Sequence, residues 1–105
     1  MSNRVQLTGR LVDAAELRHS PAGIPIARGL LEHESLQHEA GAERRVRFRV
    51  GLSAAGSPLA ETLQGLDAGV AVQVDGHMRR ARQRTPGTDP IIISVSRLER
   101  LAHSE

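Results

Sequence analysis

The segment Arg44-Arg45-Val46-Arg47-Phe48-Arg49-Val50 alternates guanidinium groups with apolar side chains, and Arg79, Arg80, Arg82 and Arg84 repeat that density of charge further along the chain. Eight of the fourteen basic residues fall in these two six-residue windows. Neither window contains an acid, and every basic residue of the chain is arginine. A guanidinium is planar, permanently charged and carries a fork of donors that matches a phosphate. The chemistry such windows serve best is therefore recognition of a phosphodiester backbone. With a formal net charge of only +2, the bulk of the protein is near neutral and two patches are strongly positive. A solvated strand face and a solvated loop tip would leave the same composition, and from composition the two readings stand side by side.

Other chemistries find little footing. HESLQHE, His33 to Glu39, invites comparison with the zinc-protease pattern, which needs two histidines at i and i+4 on a helix so that both face one ion. His33 and His38 are five residues apart, about 140° off a common helical face, in a segment that reads as the end of a strand and a loop. His19, His77 and His103 fall in turns or strand ends and supply no third ligand, so these are surface histidines and no metal site is assigned. There is no nucleophile elbow and no glycine-rich phosphate loop. The chain has no cysteine, which excludes thiolate chemistry and disulfides. A non-enzymatic protein without cofactor is the expectation.

The elements that must position the arginines follow from the hydrophobic period. A length of 105 residues sets one domain, 1–105, with residues 102–105 expected to fray. MSNRVQLTGR has no apolar signal segment and no run approaches membrane-spanning length, so a soluble cytoplasmic protein is expected. In RVQLTGRL the apolar positions Val5, Leu7 and Leu11 share one face, with Gly9 marking a bulge or sharp bend. SPAG at Ser20 to Gly23 is a turn, and a second strand runs from Ile24 to about Glu34. HEAGAE, His38 to Glu43, reads as a hairpin loop. A third strand then places Val46, Phe48, Val50 and Leu52 inside and Arg45, Arg47 and Arg49 outside. Ser57-Pro58 predicts a helix start, with serine as N-cap, an apolar face of Leu59, Leu63 and Leu66, and an end at Gly65 or Gly69. Val70, Val72, Val74, Gly76 and Met78 line one face of a fourth strand, RRARQRTPGTDP is a loop, and Ile91 to Ser96 is the last strand, with the chain continuing to Leu101. Five strands with a short helix between the third and fourth predict an all-β protein, a five-stranded OB-fold barrel. The period alone also fits an SH3-like barrel.

With that order in hand, NRVQLTGRL at Asn3 to Leu11, SPAGIP at Ser20 to Pro25, LEHES at Leu31 to Ser35 and EAG at Glu39 to Gly41 resemble the primosomal replication protein N (PriB) family. The resemblance runs along essentially the whole chain and is strongest in its first 41 residues. It implies a homodimeric OB-fold related to bacterial single-stranded-DNA-binding proteins, acting in replication restart. It also implies single-stranded DNA, the PriA helicase and DnaT as partners. Arg44, Arg82 and Arg84 match basic positions of the family's DNA face, as does Arg18. The chain departs from the family at Ala42 and Arg47, where that face carries aromatics, and at Glu34 and Asp13, where it carries basic residues.

An OB surface that binds single strands normally joins a cationic groove to aromatic platforms for the bases. Here there is no tryptophan or tyrosine and a single phenylalanine. By alternation Phe48 belongs to the barrel interior, and it becomes a stacking residue only if a bulge turns it outward. Arg45, Arg47 and Arg49 are then the candidate surface, since a guanidinium plane stacks on bases while its charge meets phosphate. Arg79, Arg80, Arg82 and Arg84 form a candidate loop. Three functions remain open: a single-strand binder acting through phosphate contacts and stimulating a helicase, an interaction module with weak DNA affinity of its own, and an RNA-binding OB domain.

Overall fold

The computed structural model of the chain describes residues 1–81 and 90–102. Seven elements follow one another: β1 (Val5–Leu11), β2 (Glu16–His19), β3 (Pro25–Glu39), β4 (Ala42–Ala55), α1 (Leu59–Gln64), β5 (Ala71–Arg80) and β6 (Ile91–Arg100). Five of the strands close on themselves in the order β1-β5-β6-β4-β3 and back to β1. All neighbours are antiparallel except β4 and β6, which run parallel from Gly51↔Ile92 to Ser53↔Ser94. This is the expected five-stranded OB barrel with its helix between the third and fourth barrel strands.

Closure depends on Gly9. β1 pairs with β5 from Val5 to Arg10, and at Arg10 and Leu11 it also meets Glu32 and Leu31 of β3. A Cβ on Gly9 would overlap the Glu32 carbonyl and lie 2.9 Å from Leu31 Cγ. Only a residue without a side chain lets the two strands come this close. β1 pairs through Gly9 without a register shift, so Gly9 marks a close approach and not a bulge. After Leu11 the chain leaves the sheet and returns as β2, which pairs along the same edge of β3 from Glu16↔Arg28 to His19↔Pro25. That short sixth strand has too few apolar residues to show in the period.

The core is aliphatic. Leu11, Leu31, Leu52, Leu63, Val72, Val74 and Ile93 are its largest fully buried side chains. α1 brings Ala60 and Leu63 into it, while Leu59 and Leu66 pack against it half-buried. The helix begins one residue later than Ser57 suggests. Pro58 occupies the N-cap position with no side-chain cap, and the Ser57 hydroxyl donates instead to Glu61 Oε2 at 2.6 Å. Of the two ends the sequence offers, Gly65 and Gly69, Gly65 is the one that closes the helix.

The largest correction concerns β3 and β4. The loop HEAGAE is a two-residue turn, Ala40-Gly41, with φ of 51° and 77°. That is the mirror-image geometry that matches strand twist. Pairing continues without interruption from Ile26↔Ala55 to Glu39↔Ala42. The result is a long arm that runs past the end of the barrel. Phe48 keeps its predicted face, but on the arm that face has no opposing sheet, so it is 42% exposed and outside the core. Met78, at 47%, is exposed near the end of β5 in the same way. His33 and His38 lie on one strand an odd number of residues apart and therefore point to opposite faces.

Candidate nucleic-acid interface

Arginines from both predicted clusters reach the outer face of the barrel, where their surroundings differ. Cross-strand register sets the layout. One row across the sheet reads Leu30, Gly51, Ile92 and Arg79, and the next reads Arg28, Ser53, Ser94 and His77. β2 adds Glu16 beside Arg28 and Arg18 beside Ile26. Part of this surface is a groove of about 530 Å³ whose rim carries Arg18, Arg28 and Arg79 and whose lining, among the described residues, includes no acid, with Glu16 next to it beside Arg28. The floor is low because its residues are small. Gly51 lets the Ile92 side chain lie across β4, where a Cβ would come within 2.9 Å of Ile92 Cγ2, and Ser53 is almost closed from solvent.

Arg18 reaches Glu16 at 3.3 Å with about three-quarters of each side chain in solvent, a contact that water and salt largely screen. Among the described residues, Arg28 and Arg79 have no ion-pair partner. Three strands thus deliver three guanidiniums to one concave, small-floored surface. Arg28 carries no signal in the sequence because it stands alone there. Only the register brings it beside Arg18 and Arg79.

On the arm the same outward face has different company. Arg45, Arg47 and Arg49 project outward as predicted, but β3 sets Glu32 and Glu34 among them. Glu32 Oε1 accepts from Arg47 Nη2 at 3.1 Å and Nε at 3.3 Å, and lies 3.5 Å from Arg49 Nε. Glu34 Oε1 accepts from Arg45 Nε at 2.7 Å and also pairs with Arg45 Nη2. The Arg47 hydrogen bond, aided by the charges of Arg47 and Arg49 and opposed by desolvation, holds the Glu32 carboxyl below the ordinary glutamate range. Three cations share two anions. The acid-free windows of the sequence are not acid-free in space.

The other arginines divide. Arg44 lies opposite Gln37, on the arm face away from Arg45, Arg47 and Arg49. Arg79 and Arg80 belong to β5 rather than to a loop, and Arg80 lies on the opposite face from Arg79. Arg82 and Arg84 lie outside the described residues, as do residues 103–105 of the expected tail. On the arm's inner side Phe48 packs against the His33 ring, with centroids 5.0 Å apart at 38°. His33 Nδ1–H donates to the Thr8 carbonyl at 2.7 Å, and Nε2 lies 2.8 Å from the Ser35 hydroxyl. Phe48 is therefore open to solvent without any bulge, but on the inner side of the arm.

Comparison with known proteins converges on one family. Residues 3–89 match the profile of a family described as "another single-strand binding protein family". The replication restart protein PriB of Bordetella pertussis is 38% identical over 81 residues, covering 77% of this chain and 75% of that one. PriB of Proteus mirabilis is 32% identical over 98 residues, covering 93% and 92%. Among solved structures, PriB from Ralstonia solanacearum matches with a TM-score of 0.82 at 29% identity, covering 96% of this chain and 100% of that one. A Plasmodium falciparum SSB, solved with single-stranded DNA, matches with a TM-score of 0.80 at 15% identity, a likeness of fold. Sequence, fold and the relatives together place this chain in the single-strand-binding-protein-like family of replication restart proteins, PriB.

Proposed function

We propose that this protein binds single-stranded DNA as an accessory factor of replication restart, chiefly through phosphate contacts made by Arg18, Arg28 and Arg79. The observation that carries this reading is the groove on the outer face, where three strands present guanidiniums and, among the described residues, no acid lines the floor. A phosphate-led interface binds all sequences similarly, because phosphate contacts position a strand without reading it. Arg82 and Arg84, matching basic positions of the family, supply further phosphate contacts in this proposal, and Arg45, Arg47 and Arg49 add to the groove along the arm. The family membership supports action alongside the PriA helicase, with stimulation of its activity, and with DnaT.

Homodimerisation belongs to the same proposal. On the side away from β5, among the described residues, β1 pairs with another strand only at Arg10 and Leu11, and the Thr8 carbonyl accepts from His33. The edge from Val5 to Gly9 has unpaired backbone groups beside the exposed Phe48–His33 pair, and a second copy would cover it.

The ion-paired arm favours a second reading, an interaction module of the primosome with weak DNA affinity of its own. Fluorescence anisotropy of labelled oligothymidylate against salt, with and without the helicase, separates the two. A single-strand binder gives saturable binding at low salt without the helicase. Binding that appears only with the helicase would overturn the DNA-binding reading.

A further inference from the structure

Beyond their exposed ion pairs, Glu32 and Glu34 have no structural task that requires a carboxylate. Both are on the outward face, neither reaches the core, and among the described residues no backbone group depends on either side chain. What they hold is the recognition edge of two arginines. In Arg45 and in Arg47 alike, Nε and Nη2 both point at one carboxylate oxygen. That edge is the one with which an arginine clasps a phosphate through two parallel hydrogen bonds. Arg49 is drawn toward the same Glu32 oxygen.

The arm's outward face is also continuous with the groove. Along β3 from the groove outward, Arg28, Leu30, Glu32, Glu34 and Leu36 follow one another, each opposite its β4 partner from Ser53 to Arg45. A strand seated between Arg18, Arg28 and Arg79 and continued along this face next meets the guanidiniums that are already occupied.

We propose that Glu32 and Glu34 are built-in competitors for nucleic-acid phosphate: they occupy the phosphate-clasping edges of Arg45 and Arg47 and set how much of the arm a bound strand engages. This rests on the single-strand-binding reading. The carboxylates act here as substitutes for phosphate oxygens, so a strand gains the arm only by displacing an existing pair. The net electrostatic return per phosphate is then small. Removing the carboxylates while keeping their shape frees the two edges.

The test is anisotropy of labelled oligothymidylate across a salt series for wild type, Glu32→Gln/Glu34→Gln, and Glu39→Gln/Glu43→Gln. The last pair changes the net charge equally at the arm's tip, where neither glutamate has an ion-pair partner among the described residues. All four positions are at the surface, and circular dichroism checks that each variant keeps the fold. With the freed edges of Arg45 and Arg47 each clasping one phosphate, log K against log salt should steepen by about 1.4 in Glu32→Gln/Glu34→Gln. That is roughly 60-fold tighter binding at 50 mM salt, measured against the ratio at 1 M. The tip variant should keep the wild-type slope. Equal steepening in both variants would make the effect one of general charge and overturn the proposal. A wild-type protein that binds, with an unchanged Glu32→Gln/Glu34→Gln, would overturn it and leave the single-strand reading intact. No binding by any of the three proteins would sink both.

Discussion

The groove and the arm are built from the same material, arginine on the outward face of the sheet, yet they differ in what stands across the register. In the groove Arg28 has Ser53 and Ser94 on one side and Glu16, whose carboxylate reaches Arg18 rather than Arg28, on the other, and Arg79 sits beside Ile92 and Gly51. On the arm the neighbours of Arg49 and Arg47 are Glu32 and Glu34. A guanidinium among small neutral residues keeps its donors for a ligand, whereas one beside a carboxylate has spent them. Counting arginines overstates the arm and understates the groove. The cationic surface relevant to a phosphodiester is set by pairing across strands, which no window along the chain reveals.

Four perturbations separate the two regions. The largest effect should come from Gly9→Val, because β1 and β3 close the barrel that both regions share. The added side chain meets the Glu32 carbonyl and Leu31, and overpacking of this kind costs about 1–3 kcal/mol or more. For a domain of this size each kcal/mol lowers Tm by about 4–8 °C. A melting temperature equal to wild type would show that the close approach at Gly9 does not hold the barrel shut.

Gly51→Leu should break the groove alone. It raises the floor beside Ile92 and leaves the arm's ion pairs untouched. Loss of one phosphate contact is worth roughly 8-fold in affinity at 50 mM salt, measured against 1 M. Anisotropy with oligothymidylate reads this directly, and undiminished binding would take the strand out of the groove.

The arm should announce itself in acid. The folded Glu32 carboxyl titrates below the ordinary glutamate value of about 4.3. Its ionised form therefore contributes stability above that value, and the contribution is lost as the pH falls through the lower folded value. Thermal melts from neutral pH down through this window should decline more steeply for wild type than for Glu32→Gln. Because the pairs are exposed, the difference is modest. Superimposable pH curves would mean that the Arg47–Glu32 pairing adds nothing to the fold.

The smallest effect belongs to Arg44→Gln. Arg44 is on the inner side of the arm, so a strand following the outward face does not touch it. Its removal should change affinity by less than one phosphate contact, below roughly 8-fold at 50 mM salt. A larger loss would place DNA on the Phe48 side and promote that ring to a stacking residue.

The barrel is legible in the sequence because its strands are half-buried and alternate. Val72 and Val74 line the core as the period indicates, and Leu63 on α1 does as well. The arm is not, for one local reason. Ala40-Gly41 is a weak signal for a turn that asparagine-glycine usually marks, so the six residues HEAGAE pass for a loop. Placing the turn at two residues fixes the register, and the register alone reveals that Glu32 and Glu34 face Arg49 and Arg47. The misplacement of Phe48 has the same origin. Alternation gives the face of a strand but not where the opposing sheet ends. Arg28 is invisible because a lone arginine among apolar residues carries no pattern until β2 and β5 bring Arg18 and Arg79 to it.

The central claim is that the groove, and not the arm, supplies the first phosphate contacts. The salt dependence of oligothymidylate binding tests it most directly, with two variants compared. One is Arg18→Gln/Arg28→Gln/Arg79→Gln. The other removes the arm's pairs in a charge-balanced way, Glu32→Gln/Glu34→Gln/Arg45→Gln/Arg47→Gln. The groove variant should lose about 2 from the slope of log K against log salt, from three contacts at about 0.7 each, and the arm variant should keep the wild-type slope. A slope unchanged in the groove variant but shallower in the arm variant would contradict the account and put the DNA on the arm.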